Sequence, residues 1–162
     1  MFIPTLPAGV TLRAITPDDN AFMAILFAAG RQQELAAFPF NEQQKQQFLH
    51  SQFVAQYQHY FSAYNTERFR LITAAGEPIG RYLSARNSTG LHLVDIALLP
   101  AWQRQGIGQA LLLALLAEAR QQQLTVSLHV QPGGHVQRWY QRLGFEEQAG
   151  GNALYVPMTW RP

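Results

Sequence analysis

Apolar and polar residues alternate over several short runs of this chain, a pattern typical of β-strands with one buried face. The first run, from Val10 to Ile15, predicts a strand near the start of the chain. Further strands are predicted over residues 69–74, 78–86, 90–99, 125–130, 145–148 and 153–160. Short segments containing glycine separate several of these runs, so we expect antiparallel hairpins at those places.

Four other segments carry apolar side chains at every third or fourth position, which predicts helices. The first predicted helix spans residues 21–29. The second begins after Asn41, which forms a capping box with Gln44, and its aromatic stripe extends to Tyr64. The other two helices are predicted over residues 107–123 and 135–142. Residues 31–41 lack a clear period, and we expect them to be the least regular part of the chain.

A predicted helix separates the strands at residues 90–99 and 125–130, so these two strands are expected to be parallel and joined by a right-handed crossover. No internal repeat or linker interrupts the pattern. A chain of 162 residues is the size of one domain, and we expect a single domain over residues 1–162.

The composition excludes several classes of protein. With 48% hydrophobic and 14% charged residues, the chain is expected to be a soluble globular protein. The formal charge of +2 and the scattered basic residues give no reason to expect a nucleic-acid partner. The absence of cysteine excludes disulfides, thiolate metal sites and a cysteine nucleophile, and no metal-binding cluster is evident. Without a signal peptide or an apolar run long enough to span a membrane, we expect a cytoplasmic location and no membrane partner.

The segment between the strand at 90–99 and the following helix carries the clearest chemical signal. Gln103, Arg104 and Gln105 precede Gly106-Ile107-Gly108, which opens the helix. The first N–H groups of a helix have no partner within it, so they form a site for anions such as phosphate. Glycine allows close approach of such a group, although a tight structural turn is an equally good interpretation of the two glycines alone. A Walker loop is excluded because no Gly-Lys-Ser or Gly-Lys-Thr follows, and Leu111 stands where a dinucleotide fingerprint has a third glycine or alanine.

Two motifs in the chain resemble those of the GNAT N-acetyltransferase superfamily. The first is Gln103-Arg104-Gln105-Gly106-Ile107-Gly108, which is similar to the loop that binds the pyrophosphate of acyl-CoA. The second is HVQRWYQRLGF at residues 135–145, which is similar to the helix that carries a tyrosine and ends in Leu-Gly-Phe. The resemblance implies an α/β (α+β) fold. It consists of a mixed, mostly antiparallel sheet of about seven strands with one splayed parallel pair, flanked by about four helices.

The resemblance also implies an activity and a set of ligands. An enzyme of this kind transfers an acetyl group from acetyl-CoA (coenzyme A) to an amine, by direct attack when both are bound. The expected acceptor is a small molecule or a peptide with a primary amine. The residues expected to bind the cofactor are Ala97, Leu98, Gln103, Arg104, Gln105, Gly106, Ile107, Gly108 and Gln109. The main chain near Leu98 is the expected donor to the thioester oxygen.

Three residues are catalytic candidates. Tyr140 matches the general acid of the family through its place in the second motif, with an amphipathic core tyrosine as the alternative. For the base, Asp95 and His92 are rivals: Asp95 stands in an apolar strand, and the ordinary pKa of histidine suits His92 to base work. Simple alternation places these two side chains on opposite faces unless a bulge intervenes. His129 is a third and weaker candidate, and a purely structural role remains open for each.

The sequence departs from the family pattern in two places. Gln103-Arg104 replaces the commoner Arg-Gly of the loop, and Gly133-Gly134 stands where the last helix often begins with asparagine. A non-catalytic module that binds or senses acyl-CoA is the alternative function. The acceptor is not encoded in any recognisable motif. A homodimer is possible through the last hairpin.

Overall fold

A seven-stranded β-sheet forms the centre of the protein, and the computed structural model describes residues 4–162 of the chain. The strands are β1 (Val10–Ala14), β2 (Arg70–Ala74), β3 (Glu77–Arg86), β4 (Gly90–Leu98), β5 (Thr125–Val130), β6 (Glu146–Glu147) and β7 (Val156–Trp160). They lie in the order β1-β2-β3-β4-β5-β7-β6, and only β4 and β5 are parallel neighbours. The expected mixed sheet with one parallel pair is therefore confirmed.

Four α-helices flank the sheet. They are α1 (Asn20–Ala36), α2 (Glu42–Ala63), α3 (Ile107–Gln122) and α4 (His135–Arg142). Short 3-10 turns occur at Pro17–Asp19, Thr66–Arg68 and Pro100–Trp102. Within residues 4–162, no helix is both long and apolar enough to cross a membrane.

The first helix is longer than the sequence pattern predicts. It continues through Gly30 to Ala36, so that only residues 37–41 link it to α2. Residues 31–36 are good helix formers, Arg31 pairs with Glu34 one turn later at 3.1 Å, and Leu35 is buried. The predicted start of α2 is confirmed: the side chain of Asn41 accepts a hydrogen bond from the Gln44 N–H at 2.8 Å.

The main core lies between the sheet and helices α3 and α4. Alternate residues of β4 and β5 point to this side, and they pack against the apolar face of α3. The fully buried side chains include Leu91, Leu112, Leu115, Val126 and Leu128. Burying each such side chain stabilises the fold by about 1.5–3 kcal/mol. On the opposite face of the sheet lie α1 and α2, and α2 buries none of its side chains completely.

The parallel pair is joined at one end only. Its paired positions run from Gly90 opposite Thr125 to Leu93 opposite Leu128, although β4 continues to Leu98. At the same point the pairing of β3 with β4 shifts, because Leu83 lies opposite Asp95 while Ser84 lies opposite Leu93. Val94 is thus the extra residue of a β-bulge, which bends β4 away from β5.

The last hairpin is shorter than predicted. Strand β7 begins at Val156 instead of Ala153, and β6 contains only two residues. The Asn152 side chain explains the difference, since its oxygen accepts hydrogen bonds from the N–H groups of Leu154 and Tyr155 at 2.8 and 2.9 Å. These bonds hold residues 152–155 in a turn, and this competes with strand pairing.

Candidate active site

Three adjoining cavities lie along the region where β4 and β5 diverge. On the side of α1 and α2 lies a cavity of about 780 Å³, here called the acceptor cavity. Between the two strands lies a cavity of about 390 Å³, the wedge cavity. Beside the start of α3 lies a third of about 440 Å³, the loop cavity. Residues that line both the acceptor and the wedge cavity are Val94, His129, Gln131 and Tyr155, and those shared by the wedge and loop cavities are Ile96, His135, Val136 and Tyr140.

The loop cavity is built around the first turn of α3. Gly106 takes a left-handed conformation with φ of +81°, and the first hydrogen bond into the helix is donated by Ala110 to the Gly106 carbonyl at 3.0 Å. The N–H groups of residues 107–109 donate no hydrogen bond to any other part of residues 4–162. They therefore remain free for a ligand, as the sequence pattern predicts.

The glutamines of the loop serve mainly to hold it in place. The Gln103 amide donates to the Leu98 carbonyl at 3.0 Å, and the Gln105 amide donates to the Ala101 carbonyl at 3.0 Å. Most of the predicted cofactor-binding residues form the wall of the loop cavity, namely Leu98, Gln103, Arg104, Gly106, Ile107, Gly108 and Gln109. Ala97 and Gln105 lie outside this wall.

The loop cavity suits a phosphate-bearing group. A Cβ atom added at Gly108 would meet only the Ile96 side chain at 3.9 Å, so the space in front of this glycine is open and is not required for protein packing. Arg104 supplies a positive charge to the wall, and no carboxylate side chain lines it. Free N–H donors, an arginine and an open approach are the features that phosphate binding needs.

Tyr140 lies where the wedge and loop cavities meet. Its ring packs against Phe145 and Trp139, with centroid distances of 5.4 and 5.0 Å. Burial, together with the nearby negative charge of Asp95, raises the pKa of Tyr140 to about 12. The phenol therefore keeps its proton at neutral pH and is able to donate it.

Asp95 faces the wedge cavity and is held by a buried arginine. Arg81, on β3, donates from Nε to Oδ2 of Asp95 at 2.7 Å and from Nη2 to the Gln56 side chain at 2.8 Å. The guanidinium also lies 5.5 Å from the ring centre of Tyr60. Only 4% of Arg81 is exposed, whereas the Asp95 side chain is 27% exposed. One carboxylate oxygen is thus fixed while the group stays accessible from the cavity.

His92 is buried, and its side chain already contacts Ser127 and Tyr64. Its Nδ1 atom forms a 2.8 Å hydrogen bond with the Ser127 hydroxyl, and its ring stacks on Tyr64 at 5.4 Å. Burial, and secondarily the neighbouring His129, lowers the pKa of His92 to about 4. The bulge at Val94 places His92 on the same face of β4 as Asp95. Simple alternation without a bulge would place the two side chains on opposite faces.

Comparison with known proteins settles the family. The pattern of the acetyltransferase (GNAT) domain matches residues 36–161. The chain belongs to the GNAT family. It is accordingly an N-acetyltransferase that uses acetyl-CoA. Comparison with curated protein sequences gives no match.

Solved structures share the fold of this GNAT enzyme at low sequence identity. The PaiA N-acetyltransferase from Thermoplasma acidophilum, in complex with coenzyme A, aligns with a TM-score of 0.67 at 15% identity, over 94% of this chain and 99% of that chain. The ribosomal-protein-S18-alanine N-acetyltransferase from Escherichia coli gives 0.58 at 22% identity, over 94% and 93%. Naa50 from Arabidopsis thaliana, in complex with the bisubstrate analogue CoA-Ac-MVNAL, gives 0.57 at 16% identity, over 94% and 98%.

A buried glutamine in the first turn of α4 holds the Gly133-Gly134 segment in place. Gly133 has φ of +81°, and its N–H donates to the buried Gln137 side chain at 2.7 Å. The Gln137 amide in turn donates to Glu147. The start of α4 is therefore fixed from inside the protein, without a side chain at residues 133–134.

Sequence reasoning missed Arg81, Gln56 and Tyr155 as residues of these cavities or their immediate support. A signal for Arg81 was present, because it is a charged residue within a mostly apolar predicted strand, as Asp95 is. A buried charge of this kind requires a partner of opposite charge. Tyr60 belongs to the aromatic stripe predicted for α2, in which a core role is the favoured interpretation and a place in an acceptor pocket the alternative for one or two rings. Gln56 and Tyr155 could not be found from the sequence, since their positions depend on how α2 and the 152–155 turn lie over the sheet.

Proposed function

We propose that this enzyme acetylates a primary amine by direct attack, with the amine and acetyl-CoA bound together, and that Tyr140 is its general acid and Asp95 its base. Both side chains line the wedge cavity, which adjoins the acceptor cavity on one side and the loop cavity on the other. That shared placement is the observation on which the proposal depends. In this proposal the amine enters from the acceptor cavity, acetyl-CoA enters from the loop cavity, and the reacting groups meet in the wedge cavity.

Acetyl-CoA, when bound, supplies an activated acetyl thioester and a thiol leaving group. The residues suited to hold it are the N–H groups of residues 107–109, Arg104 and the end of β4 near Leu98. Because β4 has left β5 at this point, main-chain groups beyond Leu93 are not used in pairing the two strands. They are available as donors to an oxygen that gains negative charge.

Tyr140 supplies a proton to the leaving sulfur. A phenol that keeps its proton at neutral pH is suited to this task, provided that it is held in place. The contacts with Trp139 and Phe145 provide that restraint.

Asp95 receives a proton from the amine through water. Arg81 occupies only Oδ2, and among residues 4–162 no hydrogen bond is made to the other oxygen. His92 is less accessible as a base, since it is buried, its Nδ1 is engaged by the Ser127 hydroxyl and its ring is stacked on Tyr64. His129 is exposed on the wall shared by the acceptor and wedge cavities. It is the alternative base against which Asp95 is compared by substitution.

The test replaces Tyr140 with phenylalanine and measures thiol release from acetyl-CoA in the presence of an amine. We expect kcat to fall roughly 10²- to 10³-fold while the KM for acetyl-CoA stays similar, because only the proton donor is lost. Tyr57→Phe is the matched control, since Tyr57 stacks on Phe61 in α2 and does not line the three cavities. If Tyr140→Phe retains full activity, the assignment of the acid is wrong.

A further inference from the structure

The wall of the acceptor cavity carries almost no free charge. Its formally charged side chains are Arg31 and Glu34, and these pair with each other at 3.1 Å. Carboxamides occur at Gln52, Gln56, Gln131 and Asn152. An acceptor with a carboxylate or phosphate would find no unpaired cation here, and a polyamine would find no row of carboxylates. Charge therefore favours an acceptor whose amine is its only ionic group.

Aromatic rings supply much of the remaining wall. They belong to Phe27, His59, Tyr60, Tyr64, His92, His129 and Tyr155. Several of these rings are already used in packing: Tyr64 stacks on His92, for example, and Tyr60 faces Arg81. A cavity of about 780 Å³ with such a wall is large enough for a molecule with a ring as well as an amine.

Tyr155 differs from the other rings of this wall because no aromatic ring is paired with it among residues 4–162. It is 42% exposed. Its position is nevertheless fixed, since its main chain is bonded in both directions to Asn152, at 2.9 and 3.0 Å. It lines both the acceptor and the wedge cavity, so a ring stacked on it lies beside the route to Asp95.

Tyr60 lies close to the residues that hold Asp95. Tyr60 and Tyr155 both line the acceptor cavity, and the ring centre of Tyr60 lies 5.5 Å from the guanidinium of Arg81, which binds Asp95. Burial, and secondarily the charge of Asp95, raises the pKa of Tyr60 to about 12. A molecule that extends from Tyr155 past Tyr60 would present its amine at Asp95.

We propose that the acceptor is a primary amine carried on an aromatic or similarly flat apolar body without further charge, and that Tyr155 selects it by stacking. This inference rests on the proposed function. It concerns the acceptor alone, and it adds a specificity residue to the catalytic pair.

The first experiment compares acceptors in the wild-type enzyme with saturating acetyl-CoA. The amines are 2-phenylethylamine, n-hexylamine, 1,4-diaminobutane and glutamate, and the measured quantity is kcat/KM from thiol release. We expect 2-phenylethylamine to exceed each of the others by roughly tenfold or more. Equal or better rates with the diamine or glutamate would overturn the inference and leave the proposed function standing.

The second experiment assigns the selectivity to Tyr155. We expect Tyr155→Ala to raise the KM for 2-phenylethylamine roughly tenfold with kcat little changed, and Tyr155→Phe to restore it, because the ring face and not the hydroxyl makes the contact. Leu113→Ala is the control, since Leu113 is an exposed residue of α3 that lines none of the cavities described above. An unchanged KM in Tyr155→Ala excludes the stacking role.

A binding measurement separates the two proposals if no amine is acetylated. Saturation-transfer NMR on the CoA-loaded protein detects 2-phenylethylamine directly. Binding to the wild type but not to Tyr155→Ala would support the acceptor class and count against the proposed reaction. Absence of binding to both proteins would overturn the acceptor class.

Discussion

The negative charge of Asp95 within an apolar strand is balanced by the positive charge of Arg81. The arginine is almost fully buried, so without the carboxylate it would be an unpaired charge in the interior. Its second contact, with Gln56, connects Asp95 to α2 and hence to the wall of the acceptor cavity. Arg81 is thus placed to position the proposed base.

Replacing Arg81 tests this relation. We expect Arg81→Met to lower kcat while the KM for acetyl-CoA stays similar, because Oδ2 of Asp95 loses the donor that holds it. Arg81→Lys should restore kcat partly, because lysine keeps a positive charge and an N–H donor. Breaking a buried pair also costs about 3 kcal/mol of stability, so rates are measured below the melting transition of each variant.

A matched substitution shows which side chain is the base. We expect Asp95→Asn to lower kcat strongly and His129→Gln to keep the kcat of the wild type. If His129→Gln is the variant with the low kcat, His129 takes over the role assigned here to Asp95.

His92 gives the fold a defined pH dependence. Its folded pKa of about 4 lies below the ordinary value of 6.5, so the unfolded chain takes up a proton at higher pH than the folded protein does. Stability from this residue is therefore fully present above pH 6.5 and is lost as pH falls toward 4. The loss is on the order of 3 kcal/mol.

Chemical denaturation at a series of pH values measures this effect. We expect the free energy of unfolding of the wild type to fall between pH 6.5 and 4, and that of His92→Phe, which keeps an aromatic ring beside Tyr64, to fall much less. Parallel curves for the two proteins would show that His92 is not responsible.

At the scale of elements, the start of α3 was predictable because a local motif determines it. The turn into α3 requires a left-handed backbone at residue 106, and glycine adopts this conformation without steric cost. The bulge at Val94 was not predictable, since it arises from how β4 pairs with β3 and separates from β5. The sequence pattern ends the first helix at residue 29, whereas α1 continues to Ala36, where Leu35 is buried against the rest of the fold.

Gly108 provides the test of the α3 site. We expect Gly108→Glu to fold normally, since a Cβ there meets only Ile96 at 3.9 Å, and to weaken coenzyme A binding about a hundredfold or more, because a carboxylate would enter the loop cavity and repel phosphate. Isothermal titration calorimetry gives the affinity. Gly30→Glu is the matched control, because Gly30 is also helical and a Cβ there meets nothing within 4 Å. Equal affinities in the two variants would exclude a phosphate site at this helix.

At the scale of the whole molecule, the order of helices and strands was readable because periodicity and turn residues set it locally. The three adjoining cavities could not be predicted from the sequence, because their residues come from both helical layers and from the final hairpin. Tyr140 could be predicted as part of the site since it stands within a motif. Tyr155 could not, because the sequence predicts a strand where the protein has a turn.

Ligand-induced stabilisation tests the cofactor for the molecule as a whole. A ligand at a hundred times its dissociation constant adds about 2.7 kcal/mol to the free energy of unfolding. For a chain of this size we expect acetyl-CoA and coenzyme A each to raise Tm by roughly 5–10 °C, and NADH to leave it unchanged. A shift with NADH would contradict the selectivity for coenzyme A, and no shift with either form of coenzyme A would contradict the phosphate site described for α3.

The joined end of the parallel pair has a mechanical consequence. At Gly90 the two strands approach so closely that an added Cβ atom would collide with the Thr125 carbonyl oxygen. A methyl group at residue 90 would therefore force the paired end of the two strands apart. Gly90 thus sets how closely the strands approach at their paired end, while the bulge at Val94 sets where they begin to separate around the wedge cavity.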